Sequence, residues 1–511
     1  MKDLVLTIDC GTQSLRTALF DPRGRMLKFE RIEYPPYMSP KPGWAEQDPD
    51  LYWRSIVEAV RRMVETESKD RIAGITITTQ RATTVVVDKD GKPLRPAILW
   101  LDQRKARFDV SLGFMRSVLY SLVGMLEAVK MVQMEGKMNW IRQNEPEIWK
   151  RTGKILLLSG YLNFKLTGEF NDSVASQIGY IPFDYRRRRW ADPKDIKSII
   201  FPVDRDKLPN LVEPPNPLGE LSKKSADELG LEPGIPVIAS GSDKGCETLG
   251  LGVLDEESAS LSFGTTATVQ VTTKKYFEPL KFIPPYPAVI PGYYNPEVEI
   301  FRGFWLVRWF KEEFAGHDVD RANELGIQVE ELLNNHLDEV PPGSLGLIVQ
   351  PYWTPGLKMP EARGAMIGFG SFHGKYHVYR AIIEGINYAL LEGLRRIEKR
   401  GRMKIKRVMV AGGGSKSREI CGITANIFGL PVHRPRNPEV ASLGAAVVAS
   451  VGLGFHRGFR EAVEDMVRYE EVVEPEEKVH REYREIFEKV YTKIYPKLRG
   501  LYSKLKRIVK D

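Results

Sequence analysis

The chain has 511 residues, 42% apolar and 28% charged, with 44 glycines and 34 prolines, a balance that excludes disorder and supplies a core needing no covalent staples. Its three cysteines, Cys10, Cys246 and Cys421, lie far apart and form no CxxC pair, which excludes a disulfide framework and fits a reducing cytoplasm. The net charge of +8 suits anionic small substrates, and since no RNA- or DNA-binding motif accompanies it, a nucleic-acid partner is not expected.

The opening MKDLVLTIDCG has an apolar run broken early by Asp9, too short for a signal peptide. No run reaches the ~18 apolar residues of a membrane span, so the expectation is a soluble, cytoplasmic protein without a membrane partner. Leu4 to Ile8, the turn CGTQS and Leu15 to Phe20 read as a β-hairpin. Helical spacing follows over Leu51 to Val64 and Met138 to Trp149, with strands expected at Ile72 to Thr78 and Thr83 to Val87. Turn-rich segments at 210–219 and 230–236 precede an apolar strand, Val237 to Ser240, and place a domain boundary near Gly250, giving domains 1–250 and 251–511.

A second hairpin, Ser260 to Phe263 and Ala267 to Val271 around Gly264 and Thr265, resembles the first and points to two related halves. Val378 to Ile397 carries a core-facing stripe with Gly401 as its stop. From Pro475 a charged helix is expected to pack on the outside and fray at its basic end. The class is α/β.

Two Gly-Thr turns, at Gly11–Thr12 and Gly264–Thr265, offer backbone donors and hydroxyls for a polyphosphate. Gly412, Gly413 and Gly414 stand between an apolar strand and a helix, where a ligand can approach the backbone closely; a plain tight turn is the rival reading. AGGGSKS lacks the spacing of a P-loop. Asp9, at a strand end, suits a magnesium ion. Asp243, in ASGSDKG, suits a general base, and a helix N-cap is its alternative reading. His373 and His377 lack the glutamate of an HExxH site.

Together these segments resemble the FGGY carbohydrate kinases of the actin and hexokinase superfamily, from IDCGTQSLRTALFD through GWAEQDPDLYW, TTQRATTVVVDKDGKPLRPAILWLDQR, YLNFKLTGEF, PVIASGSDKG and LSFGTTAT to VMVAGGGSKSREI and ASLGAA. The resemblance implies two RNase H-like (actin-like ATPase) domains with a nucleotide and substrate cleft between them, and ATP-dependent phosphorylation of a hydroxyl on a small sugar, polyol or sugar acid, a ketopentose first among them. Carried over by motif, Asp243 is the general base and, with Asp9, lies near Mg²⁺. Thr12, Ser14, Arg16, Gly264 and Thr265 face the ATP phosphates, and Gly412, Gly413, Gly414 and Ser417 the nucleotide. Gln80, Arg81, Trp100, Asp243 and Lys244 fall on the sugar side.

Departures concern the substrate. Ala82 stands where glycerol kinases have a glutamate for a glycerol hydroxyl, which counts against glycerol. Lys244 follows the base where relatives carry an amide; it either binds a substrate carboxylate or hydroxyls, or pairs with a nearby acid. Phe304 replaces a small residue near the nucleotide, and Asn426 replaces an aspartate. Glycerol kinase-like activity and a non-catalytic sugar or nucleotide sensor are the competing functions, and a homodimer is the default assembly.

Overall fold

A computed structural model describes residues 2–64, 69–109, 126–354, 356 and 359–509, which divide into two units. Unit 1 comprises 1–252, 286–294 and 439–467; unit 2 comprises 253–285, 295–438 and 468–511. The return of 439–467 to unit 1 is invisible in chain order, because it rests on close approaches such as Gly24 to the Met466 backbone and Gly74 to Leu453.

Unit 1 is built on strands β1 (Leu4–Cys10), β2 (Ser14–Phe20), β3 (Met26–Glu33), β4 (Ile72–Thr79), β5 (Pro217–Glu220) and β6 (Pro236–Ile238), in the order β5-β6-β4-β1-β2-β3. β1 to β3 form an antiparallel meander, while β1, β4 and β6 run parallel. β1 is buried along its whole length, as a central strand covered on both faces must be. β3 alternates between half-buried and exposed positions, as an edge strand does. Helix α1 (Pro49–Val64) buries Tyr52, Trp53, Ile56, Ala59, Val60 and Met63 on one stripe against this sheet.

The helix expected over Met138 to Trp149 is instead two, Lys137–Asn144 and Pro146–Arg151. Glu145 sits between them at φ −130°, because the ring of Pro146 disfavours a helical conformation in the residue before it.

Unit 2 repeats the plan with β7 (Ser258–Phe263), β8 (Ala267–Val271), β9 (Glu297–Ile300), β10 (Arg407–Gly412), β11 (Val432–Pro435) and β12 (Tyr469–Val473), in the order β9-β8-β7-β10-β11-β12. Again three strands form an antiparallel meander and the first runs parallel to the next two. The outermost strands differ: β5 precedes its neighbour β6 in the chain, whereas β12 follows β11.

The long core helix runs over Lys375–Gly401 and buries the predicted stripe. Its left-handed exit falls on Arg402, at φ 52°, not on Gly401, where a Cβ would lie 2.4 Å from the Met403 methyl and 2.8 Å from the Phe277 ring. At the chain end, Tyr483 and Tyr491 are buried while Leu501, Leu505 and Ile508 are exposed, as expected of a helix whose last turns leave the core.

Candidate active site

In unit 1 three neighbouring parallel segments end side by side, and ligands of α/β sheets gather at such carboxyl ends. β1 ends in Asp9 and Cys10. β4 continues into Gln80, whose N–H donates to the Cys10 carbonyl at 2.9 Å. The segment after β6 bridges in parallel at Ser242 to Thr79. Hydroxyls clamp this last segment: Thr76 donates to the Ile238 carbonyl, Thr78 to that of Gly241, and Ser240 back to that of Ile77, at 3.0, 2.9 and 2.6 Å.

Asp243 therefore opens a helix at a fixed place. The N-cap of helix α2 (Asp243–Gly250) is Ser242, whose Oγ accepts from the Gly245 N–H, so Asp243 is the first helical residue; its Oδ1 accepts from the Lys244 N–H at 2.8 Å, which leaves Oδ2 for other partners. Gly250 holds the helix against Val440–Gly452, since a Cβ there would lie 2.1 Å from the Val440 carbonyl oxygen.

Antiparallel register sets Asp9 opposite Arg16, and their side chains meet on one face at 3.2 Å. Arg16 also reaches Glu439 at 3.5 Å. Burial, opposed by Arg16 and reinforced by Asp243 and Glu439, pushes the Asp9 carboxyl up to about 7. Asp243 is likewise raised, chiefly by burial, with Arg81 and Lys244 acting in the opposite direction. The Arg81 Nε lies 3.9 Å from Asp243, and its guanidinium stacks 5.2 Å from the Tyr286 ring centroid. Lys244 turns to Glu247, at 3.0 Å.

Trp100 donates its indole N–H to the Thr12 hydroxyl at 2.9 Å, and Thr12 donates to the Gln80 Oε1 at 2.8 Å. Ser14 is buried at the start of β2. Trp100, Ala82, Gly179, Tyr180, Glu135 and Lys137 line an adjoining pocket.

In unit 2 the two predicted glycine turns come together. Phe263 at the end of β7 pairs in register with Gly412 at the end of β10. Gly264 and Thr265 accept from the N–H groups of Phe304 and Trp305 at 3.0 and 3.3 Å. Gly412 takes φ +87°, with the Phe263 carbonyl 2.6 Å from where a Cβ would sit, and Gly414 packs under the Phe304 ring. Phe304 thus occupies the space that Gly414 leaves. Gly413, by contrast, faces open space. Ser417 caps helix α3 (Arg418–Phe428), accepting from the Ile420 N–H at 3.2 Å.

The N-terminal domain model of the FGGY family of carbohydrate kinases matches residues 4–250, and the C-terminal domain model matches residues 259–453. The chain belongs to this family. Over 506 residues it is 30% identical to a xylulose kinase of Lactococcus lactis, with 96% of each chain covered. Solved structures of a xylulose kinase and a gluconate kinase from Lactobacillus acidophilus share its fold, each with a TM-score of 0.83 at 22% identity, over 98% of this chain and 99% of theirs.

This FGGY member is an ATP-dependent sugar kinase with the two-domain actin and hexokinase-like fold. No described helix is long and apolar enough to cross a membrane. Among the described residues no cluster of three or more His, Cys, Asp and Glu forms a metal cage. The charge of Asp243 helps to raise the buried Asp9 carboxyl, and such a carboxylate pair fits Mg²⁺, which binds through one or two carboxylates and keeps several waters.

The sequence reading missed Glu439, Glu247, Tyr286 and Tyr52. Glu439 left a signal as an acid two positions before the quoted ASLGAA segment, and Tyr52 lies within the quoted GWAEQDPDLYW. Tyr286 joins the site through a contact between distant parts of the chain, and Glu247 through one helical turn beyond Asp243.

Proposed function

We propose that this kinase phosphorylates a hydroxyl of a neutral ketopentose, with Asp243 as general base. The observation that carries the reading is Asp243 itself. It stands at the first position of α2, 32% exposed, with Oδ1 held by the Lys244 N–H, its carboxyl raised and Arg81 3.9 Å away. A carboxylate so placed accepts the proton of a sugar hydroxyl as that oxygen attacks the γ-phosphorus of ATP; the P–O bond to ADP breaks and the proton remains on Asp243.

Arg16 faces the charge developing on the phosphates. Gly264 and Thr265, with Gly412, Gly413, Gly414 and Ser417, receive the nucleotide, since Gly413 leaves backbone open to a ligand. Asp9 and Asp243 would hold Mg²⁺, which neutralises phosphate charge when bound. Gln80, Arg81 and Trp100 line the sugar side.

Two features support a neutral sugar of more than three carbons. Ala82 ends at its Cβ and supplies no acceptor for a glycerol hydroxyl. Lys244 neutralises Glu247 and so is not set aside for a substrate carboxylate. A coupled assay of ADP release with MgATP and a panel of ketopentoses, aldonates and glycerol tests the reading. The highest kcat/KM is expected for a ketopentose; a preference for an aldonate or glycerol would overturn the substrate assignment, and ATP-independence of the panel would overturn the reaction.

A further inference from the structure

We infer that Arg434 and Glu471 are positioning residues for the nucleotide turn, holding the peptide units of 412–417 in the arrangement that presents the Gly413 backbone to ATP. The inference rests on the assignment of that turn to the nucleotide given above, and it extends the assignment to two residues outside every motif quoted for the chain.

The register of β11 and β12 sets Arg434 opposite Glu471, so their side chains share one face of the sheet, and Nη1 meets Oε2 at 2.7 Å. Held there, the guanidinium turns its remaining donors to the glycine turn. Its Nε donates to the Ser415 carbonyl and its Nη2 to the Lys416 carbonyl, both at 3.1 Å. A planar guanidinium donates in three directions from one place, which an ammonium cannot reproduce. The Cys421 Sγ also donates to the Ser415 carbonyl, at 3.6 Å. Glu471 reaches the far end of the turn as well, because its Oε1 accepts from the Arg418 Nε at 2.8 Å, and Arg418 is the first residue of α3.

The turn passes this constraint on to its glycines. The Ser415 Oγ donates to the Gly412 carbonyl at 2.7 Å, and the Ser417 N–H donates to the Gly414 carbonyl at 3.3 Å. In a planar trans peptide the N–H points opposite to the C=O, so fixing the Gly412 carbonyl fixes the direction of the Gly413 N–H. Three successive glycines have little stiffness of their own, and the shape of the turn must come from contacts outside them. Arg434 is 14% exposed and Glu471 28%, so the pair behind the turn is sheltered while Gly413 faces open space.

The test is calorimetric ATP binding without Mg²⁺, alongside steady-state kinetics, for Arg434→Met, Arg434→Lys, Glu471→Gln and the double variant Arg434→Met/Glu471→Gln. Loss of a charge-assisted hydrogen bond predicts a rise of ~10-fold in Kd for ATP and in KM for MgATP in Arg434→Met, with KM for the sugar unchanged. Arg434→Lys should recover part of the loss, since it keeps a charge beside Glu471. Glu471→Gln should weaken ATP binding by ~3 to 5-fold, and the double variant should bind no worse than Arg434→Met, because both break the same link.

ATP affinity like the parent's in Arg434→Met, a sugar KM that rises in step with KM for MgATP, or additive effects in the double variant would overturn the inference. Should Arg434→Met fail to fold, Glu471→Gln carries the test, and unchanged ATP affinity there would overturn it equally. Gly413→Ala separates the inference from the assignment beneath it. Weaker ATP binding in Gly413→Ala with binding like the parent's in Arg434→Met would remove the positioning role and leave the turn as a nucleotide site; binding like the parent's in both would overturn the nucleotide assignment and this inference with it.

Discussion

Lys244 lies beside the proposed base with its ammonium turned to Glu247 at 3.0 Å. Its ammonium is pulled down by burial but held above its ordinary value by Glu247 and Asp243 together, so it stays charged. That charge lowers the pKa of Asp243. The base works only when ionised, so kcat/KM should fall as pH drops through the Asp243 pKa; Lys244→Gln should move that acid limb to higher pH. An unchanged limb with a sharply raised sugar KM would instead make Lys244 a substrate contact.

A second carboxylate gives a stability prediction of definite sign. Asp172 is fully buried, accepts from Ser159, Asn163, Gln177 and the Ser173 N–H at 2.7 to 3.2 Å, and is pushed up to about 6 by burial despite those donors. Because the unfolded chain releases this proton first, near the usual carboxylate value, the contribution of Asp172 to stability is greatest below about pH 4. It should decline by about 3 kcal/mol up to pH 6 and level off above. Urea unfolding from pH 4 to 7 should show a shallower decline in Asp172→Asn than in the wild type, the raised Asp9 and Asp243 supplying the slope that remains, and the variant would be less stable at low pH because its amide nitrogen faces donors. Equal slopes in both would contradict the assignment.

At the scale of elements, the glycine turn after β10 separates two reasons for a glycine. Gly414 is required by packing, since a Cβ would lie 2.5 Å from the Phe304 ring, whereas Gly413 meets nothing within 4 Å. Gly414→Ala should therefore lower stability by ~1 to 3 kcal/mol, as overpacking does. Gly413→Ala should leave stability within about 0.5 kcal/mol and raise KM for ATP. The opposite pattern, or no nucleotide effect at Gly413, would return the segment to a plain turn.

Both hairpins and the long core helix were legible because their patterns are local: short apolar runs around Gly-Thr turns, and a stripe from Val378 to Ile397. The break at Pro146 was equally local, yet apolar spacing on both sides of it masked the signal. What the sequence could not display is pairing across distance. Glu439 meets Arg16, and Thr12 meets Trp100, only after the sheet has formed.

For the molecule as a whole, the repeated strand order accounts for where the chemistry lies. Each unit has an antiparallel meander leading into parallel strands, and each places its Gly-Thr turn and the end of the next parallel strand at one edge. In unit 1 that edge carries carboxylates and arginines; in unit 2 it carries glycines and a helix cap. On the proposed reading, divergence of the end residues in a repeated fold assigns acid-base chemistry to one unit and nucleotide binding to the other.

The central claim is that Asp243 takes the proton of the sugar hydroxyl, and Asp243→Asn tests it most directly when turnover and calorimetric ATP binding are measured on the same preparation. The variant should bind ATP without Mg²⁺ as the parent does and lose at least ~10²-fold in kcat with the preferred sugar. Near-normal turnover in Asp243→Asn would contradict the account.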